Sequence, residues 1–156
     1  MRVVWCWGFE NWPIKIYYIY EKFNVMSILK IPIYYEGSLG DKTIYTLFDS
    51  GSTFSCISEE SVSDLENLIP LNHPKEVATA SEGVYMIITH AVPLDFIIND
   101  TMLSDEFMVI KNLSEDAIIG VTTMQKWRIK LDFDSDKVEV DSKVAKAILK
   151  DLKYKH

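Results

Sequence analysis

From Ile28 onward, short alternating or apolar runs are separated by clusters of Gly, Asp, Asn and Ser, a pattern that predicts strands joined by tight turns. Ile28–Tyr35 is the first such run. Pro32 marks it as an edge strand or a bulge, because proline has no N–H to give to a ladder. Glu36–Lys42 turns the chain into a returning strand, Thr43–Phe48, and Phe54–Ile57 forms a short strand soon after. Ser58 reads as an N-cap, with Glu59 and Glu60 in the first helical turn where the dipole favours anions. Val62, Leu65 and Leu68/Ile69 follow at helical spacing, which predicts a short helix over 58–68 that Pro70 and Pro74 stop.

Glu76–Thr89 is β-rich and breaks at Ala80-Ser81-Glu82-Gly83, a hairpin tip. Ala91–Ile98 and Glu106–Ile110 are further strands, with a polar turn around Asn99-Asp100. The apolar run Ala117-Ile118-Ile119-Gly120 ends in Gly, as where a backbone or ligand comes close. Thr122–Trp127 fits a short helix. Arg128–Phe133 alternates as a half-exposed strand does, and Lys137–Val140 pairs back on it after the Asp134-Ser135-Asp136 turn. Ser142–Tyr154 predicts an amphipathic helix with Val144, Ala145, Ile148, Leu149 and Leu152 on one face. The fold class is therefore mainly β with short helices and a C-terminal amphipathic helix.

Upstream of this pattern lies a different texture. Trp5, Trp7, Trp12, Tyr17, Tyr18 and Tyr20 crowd the start of the chain, interrupted by Glu10, Pro13 and Lys15. No uninterrupted apolar stretch there has membrane length, and no secretory signal pattern is present, so the expectation is a cytoplasmic protein without a membrane partner. Residues 1–26 read as an extension: either an arm that packs on the domain or a partner, or residues upstream of a true start at Met26. Residues 27–141 are the domain, and 142–156 the terminal helix.

A chain of 156 residues supports one domain with a real core. Its 48% apolar and 25% charged residues are those of an ordinary globular protein, and a net charge of −7 lacks the electrostatic footprint of a nucleic-acid binder. Cys6 and Cys56 make no disulfide framework, and Cys56 reads as a small buried hydrophobe. His73, His90 and His156 are scattered, so neither a zinc site nor a His-based triad has support, and no metal or cofactor is expected.

The stretch that carries chemistry is Asp49-Ser50-Gly51-Ser52-Thr53, at the end of the strand Thr43–Phe48. It puts a carboxylate at a strand exit on a turn of small residues, where nearby amides and hydroxyls can hold it. Such a turn either closes a hairpin or presents an acid for catalysis. With Ala117-Ile118-Ile119-Gly120 downstream and a helix starting at Ser58, the arrangement resembles the retropepsin-like aspartic proteases, over roughly Ser27–Val140.

The resemblance implies a closed β-barrel, the acid-protease lobe, and a set of roles. Asp49 would be the catalytic aspartate. Ser50, where many members have Thr, would bond across to a partner lobe; Gly51 would bond the substrate backbone; Ser52 would hydrogen-bond the outer oxygen of Asp49. Ala80, Ser81, Glu82 and Gly83 would form the flap, less Gly-rich than many, and Ile118, Ile119 and Gly120 would brace the loop and line the cleft. Aspartic proteolysis needs two carboxylates that share one proton, and their repulsion splits the titration of the pair. The chain holds no second Asp-[Ser/Thr]-Gly, since Asp134-Ser135-Asp136 has Asp where Gly is needed. An active enzyme would therefore be a homodimer with Asp49 and its mate facing across a two-fold axis, acting on peptide or protein substrates. The competing reading is a non-catalytic retropepsin-like module for dimerisation or peptide binding.

Overall fold

A computed structural model describes residues 29–79, 81–141 and 143. The aromatic extension, Ala80 and, apart from Lys143, the expected C-terminal helix lie outside the described residues. Alternation fixes the first hairpin: β1 (Leu29–Glu36) pairs antiparallel with β2 (Asp41–Asp49), placing Leu29, Ile33 and Tyr35 inward with Ile44, Thr46 and Phe48. β3 (Cys56–Ser58) follows the Asp49 turn and feeds α1 (Glu59–Val62). Then come β4 (Ile69–Ala78), β5 (Tyr85–Ile98), β6 (Thr101–Ile110) and β7 (Ala117–Gly120). α2 (Val121–Trp127) leads to the small hairpin of β8 (Lys130–Asp132) and β9 (Lys137–Glu139).

The strand order β1-β2-β7-β3-β6-β5 closes on itself where Tyr34, Tyr35 and Glu36 of β1 pair with Ile97, Phe96 and Asp95 of β5. The result is a closed six-stranded barrel with β4 attached outside the ring, along β5. Closure covers the edge that β1 would otherwise present at Tyr34–Glu36 and leaves β4 as the edge strand. At the centre, Tyr35, Phe96 and Phe107 pack with ring centroids 5.6–5.9 Å apart, each pair contributing roughly 0.5–1.5 kcal/mol beyond its buried area. The Tyr35 hydroxyl is satisfied by Thr46 Oγ1 at 2.9 Å, and burial pushes its pKa above the usual phenol range.

The predicted helix over 58–68 is much shorter. Ser58 caps it as expected, its hydroxyl accepting from the Ser61 N–H at 3.1 Å, but regular helix stops at Val62. Val62 and Leu65 are buried, whereas Leu68 and Ile69 are exposed. Pro70 and Pro74 do not precede a strand but lie within one. β4 is an edge strand whose register slips between Pro70 and Lys75, and there the missing N–H groups cost no ladder bond. β6 starts at Thr101, five residues before the predicted Glu106, because the tight Asn99-Asp100 turn, with both residues at positive φ, lets the hairpin zip from its tip. Arg128 belongs to no strand: it caps α2 in the left-handed conformation at φ 50°. Among the described residues, no helix is long and apolar enough to cross a membrane.

Candidate active site

Asp49 is the last residue of β2, in parallel register with Gly120 at the end of β7. It is half-buried, and its Oδ1 accepts the Gly51 N–H at 2.9 Å while its carbonyl accepts the Ser52 N–H at 3.1 Å. The turn is therefore closed twice around the acid. At Gly51 the approach is close but the backbone is not left-handed: a Cβ there would lie 3.2 Å from Asp49 Oδ1, and its φ is not positive. Ser50, Gly51 and Thr53 are exposed. The Ser52 hydroxyl donates to the Phe54 carbonyl at 3.0 Å, not to the outer oxygen of Asp49 as the resemblance implied, so it braces the loop's own backbone.

The loop is stitched from behind by the segment around Gly120. The Val121 N–H donates to the Ser52 carbonyl at 2.8 Å, and the Thr53 carbonyl takes both the Thr122 N–H at 3.3 Å and its hydroxyl at 2.7 Å. Gly120 permits this contact, since a Cβ would come within 2.5 Å of the Phe54 carbonyl oxygen and 2.8 Å of that of Ser52. Beneath it, Ser55 Oγ accepts the Gly120 N–H at 3.1 Å and pairs with Thr123 Oγ1 at 2.6 Å; both side chains are 2% exposed. Sequence reading missed this pair. The available signal was a lone serine inside the apolar run Phe54-Ser55-Cys56-Ile57, which a buried strand tolerates only if the hydroxyl finds a partner.

In front of the loop lies a cleft of about 480 Å³. Asp49, Gly51 and Ser52 line it together with Phe54, Cys56 and Ile118, and the stem of the β4–β5 hairpin contributes Val77, Met86 and Ile88. Asp49 is the only carboxylate among these lining residues. Of the three residues predicted as cleft wall, Ile118 lines it, Ile119 is fully buried in the main core, and Gly120 lies behind the loop. Burial in this wall pushes the Cys56 thiol up to about 11.

The predicted flap is the exposed turn of the β4–β5 hairpin. Thr79 N–H donates to the Val84 carbonyl at 2.9 Å and Val84 N–H to the Ser81 carbonyl at 3.1 Å, with Gly83 at φ 74° supplying the left-handed step. Ser81, Glu82 and Gly83 are all exposed, and Ala80 lies outside the described residues. The hairpin stem thus stands over one side of the cleft whose floor holds Asp49.

No protein-family profile matches the sequence. Among solved structures, the chain is similar to the retroviral protease-like domain of Ddi1 from Leishmania major, with 16% identity and a TM-score of 0.56 over 73% of this chain and 88% of that one. It is also similar to the EIAV protease complexed with the inhibitor HBY-793, with 15% identity and a TM-score of 0.49 over 70% of this chain and 96% of that one. At such identities the likeness concerns the backbone. Taken with the closed barrel, the paired β2 and β7 ends and the hairpin over the cleft, the likeness to the Ddi1 domain shows that this chain has the retropepsin-like fold.

Proposed function

We propose that the chain is an aspartic endopeptidase that works as a symmetric homodimer, each copy supplying one Asp49. The observation that carries this reading is the placement of a single half-buried carboxylate on the floor of an apolar cleft, on a loop that Gly120, Ser55 and Thr123 hold rigidly. One such acid per chain is half of a catalytic pair. In the dimer, one Asp49 carboxylate takes a proton from a bound water as its oxygen attacks the scissile carbonyl carbon. The mate gives its proton to the carbonyl oxygen. The tetrahedral diol then collapses: the Asp49 that took the water's proton gives it to the nitrogen as the C–N bond breaks, the mate takes a proton back from a diol hydroxyl, and acid and amine products leave. Ser50, exposed beside Asp49, is the residue we assign to the cross-subunit contact, and Ser81, Glu82 and Gly83 with Ala80 to the flap over the substrate. We place the enzyme in the cytoplasm, where a free thiol such as Cys56 stays reduced.

The test is cleavage of a peptide library at mildly acidic pH by the full chain and by Asp49→Asn. The wild-type protein is expected to cleave, to be inhibited by statine-type compounds, and to sediment as a dimer; Asp49→Asn is expected to fold and lose all cleavage. A strict monomer at high concentration would sink the mechanism. A verified dimer that neither cleaves nor binds a statine compound would assign the fold to a non-catalytic peptide-binding or dimerisation role.

A further inference from the structure

The cleft is apolar except for Asp49 and a few hydroxyls, but one cation stacks on a residue that lines it. Lys75 Nζ lies 4.9 Å from the ring centroid of Phe54, which lines the cleft directly after the Asp49 loop. Lys75 is half-buried on β4, opposite Ile88 and two residues from Val77, and both of these also line the cleft. Its neighbours thus line the cleft.

What makes Lys75 informative is what it lacks. Among the described residues, no carboxylate lies within ion-pair distance of its ammonium, and no acceptor takes its protons. A second ammonium, that of Lys126, is stacked on Trp127 at 5.0 Å and shows the contrast. It is already committed to Asp105 at 3.1 Å and to the Ser104 carbonyl at 3.0 Å. A cation on an aromatic face uses one side of the ammonium and leaves the other for an acceptor. Lys111, Lys130 and Lys137 also lack ion pairs among the described residues, but Lys75 combines an unpaired ammonium with stacking on a ring that lines the cleft.

We propose that Lys75 is a specificity-determining residue that selects peptides bearing a carboxylate side chain at the position lying against Phe54. The proposal rests on the peptidase reading above for its setting but not for its measurement. The bound carboxylate takes the free face of the Lys75 ammonium while the flanking apolar walls hold the neighbouring side chains. A part-exposed pair of this kind gives about a fivefold preference, weakened by salt.

The experiment scans Glu, Gln and Lys through each position of a cleaved peptide and measures kcat/KM for the full-length wild type, Lys75→Met and Lys75→Glu. Thermal melts confirm that each variant is folded. One position is expected to favour Glu over Gln by about fivefold in the wild type, to lose that preference in Lys75→Met, and to favour Lys in Lys75→Glu. Normal cleavage with no Glu preference, or a preference that survives in Lys75→Met, overturns the proposal and leaves the peptidase reading standing. If no peptide is cleaved, the peptidase reading fails, and the same Glu and Gln peptides are compared by fluorescence anisotropy. Discrimination that disappears in Lys75→Met then supports the role of Lys75, and equal or absent binding overturns it.

Discussion

Gly120→Ala tests how the candidate site is held. The backbone at Gly120 is extended, with φ −88° and ψ 172°, so alanine meets no conformational penalty and the whole effect is steric. The added methyl would lie 2.5 Å from the Phe54 carbonyl oxygen, 2.6 Å from its carbon and 2.8 Å from the Ser52 carbonyl oxygen. All three are backbone atoms, so no side chain can rotate away. Relief requires β7 and the 52–54 segment to part, which stretches the bonds from Val121 N–H to Ser52 O and from Gly120 N–H to Ser55 Oγ. Overpacking of about 1–3 kcal/mol plus about 1 kcal/mol for a weakened hydrogen bond gives roughly 3 kcal/mol. For a chain of this size that lowers Tm by roughly 6–12 °C. Thermal and urea unfolding, at matched protein concentration because a dimer's Tm depends on it, give the answer. Gly83→Ala is the control: nothing lies within 4 Å and only its φ of 74° is strained, so it costs about 1–2 kcal/mol and stays local to the β4–β5 hairpin turn. If Gly120→Ala melts within a degree of wild type, the close packing behind Asp49 is not as described.

Two further outcomes follow from buried groups. Ser55→Ala removes the partner of both the Gly120 N–H and the Thr123 hydroxyl, and is expected to cost about 2–3 kcal/mol by urea unfolding. Adding Thr123→Val should then cost less than that substitution does alone, so strict additivity would contradict the pairing. Cys56 is held protonated by burial, its pKa raised from about 9 to about 11. A raised folded value means stability that is complete below pH 9 and lost as pH climbs through 9 to 11. Alkylation of Cys56, followed by peptide mapping to separate it from Cys6, should be slow at pH 8 and accelerate on unfolding; rapid native-state labelling would refute the burial.

What could be read from the residues was local. The alternation of β1 and β2, the Asp49 turn at the strand exit and the Ser58 cap each depend on neighbours a few positions away, and each appears where the pattern puts it. The long-range choices were not legible. Leu68 and Ile69 match a helical face, but tertiary pairing with β5 drew Ile69 and both prolines into an edge strand instead. The β1–β5 seam that closes the barrel joins residues some sixty positions apart and leaves no local mark. The same holds for Ser55 with Thr123 and for Lys75 with Phe54: each residue alone is unremarkable, and only the fold makes the pair. The hydroxyl of Ser52 fails in the opposite sense, since the Phe54 carbonyl two residues on takes it in place of the expected carboxylate.

The stitching of the Asp49 loop also sets an order of events during synthesis. The struts that β7 and α2 supply behind that loop, from Gly120 to Thr123, are translated some seventy residues after Asp49 itself. While the ribosome is still making β4, β5 and β6, the acid is present in the nascent chain but its turn has only its own short-range hydrogen bonds. Whatever chemistry Asp49 performs is thereby withheld until nearly the whole barrel has emerged, and a prematurely terminated chain carries the residue without the site.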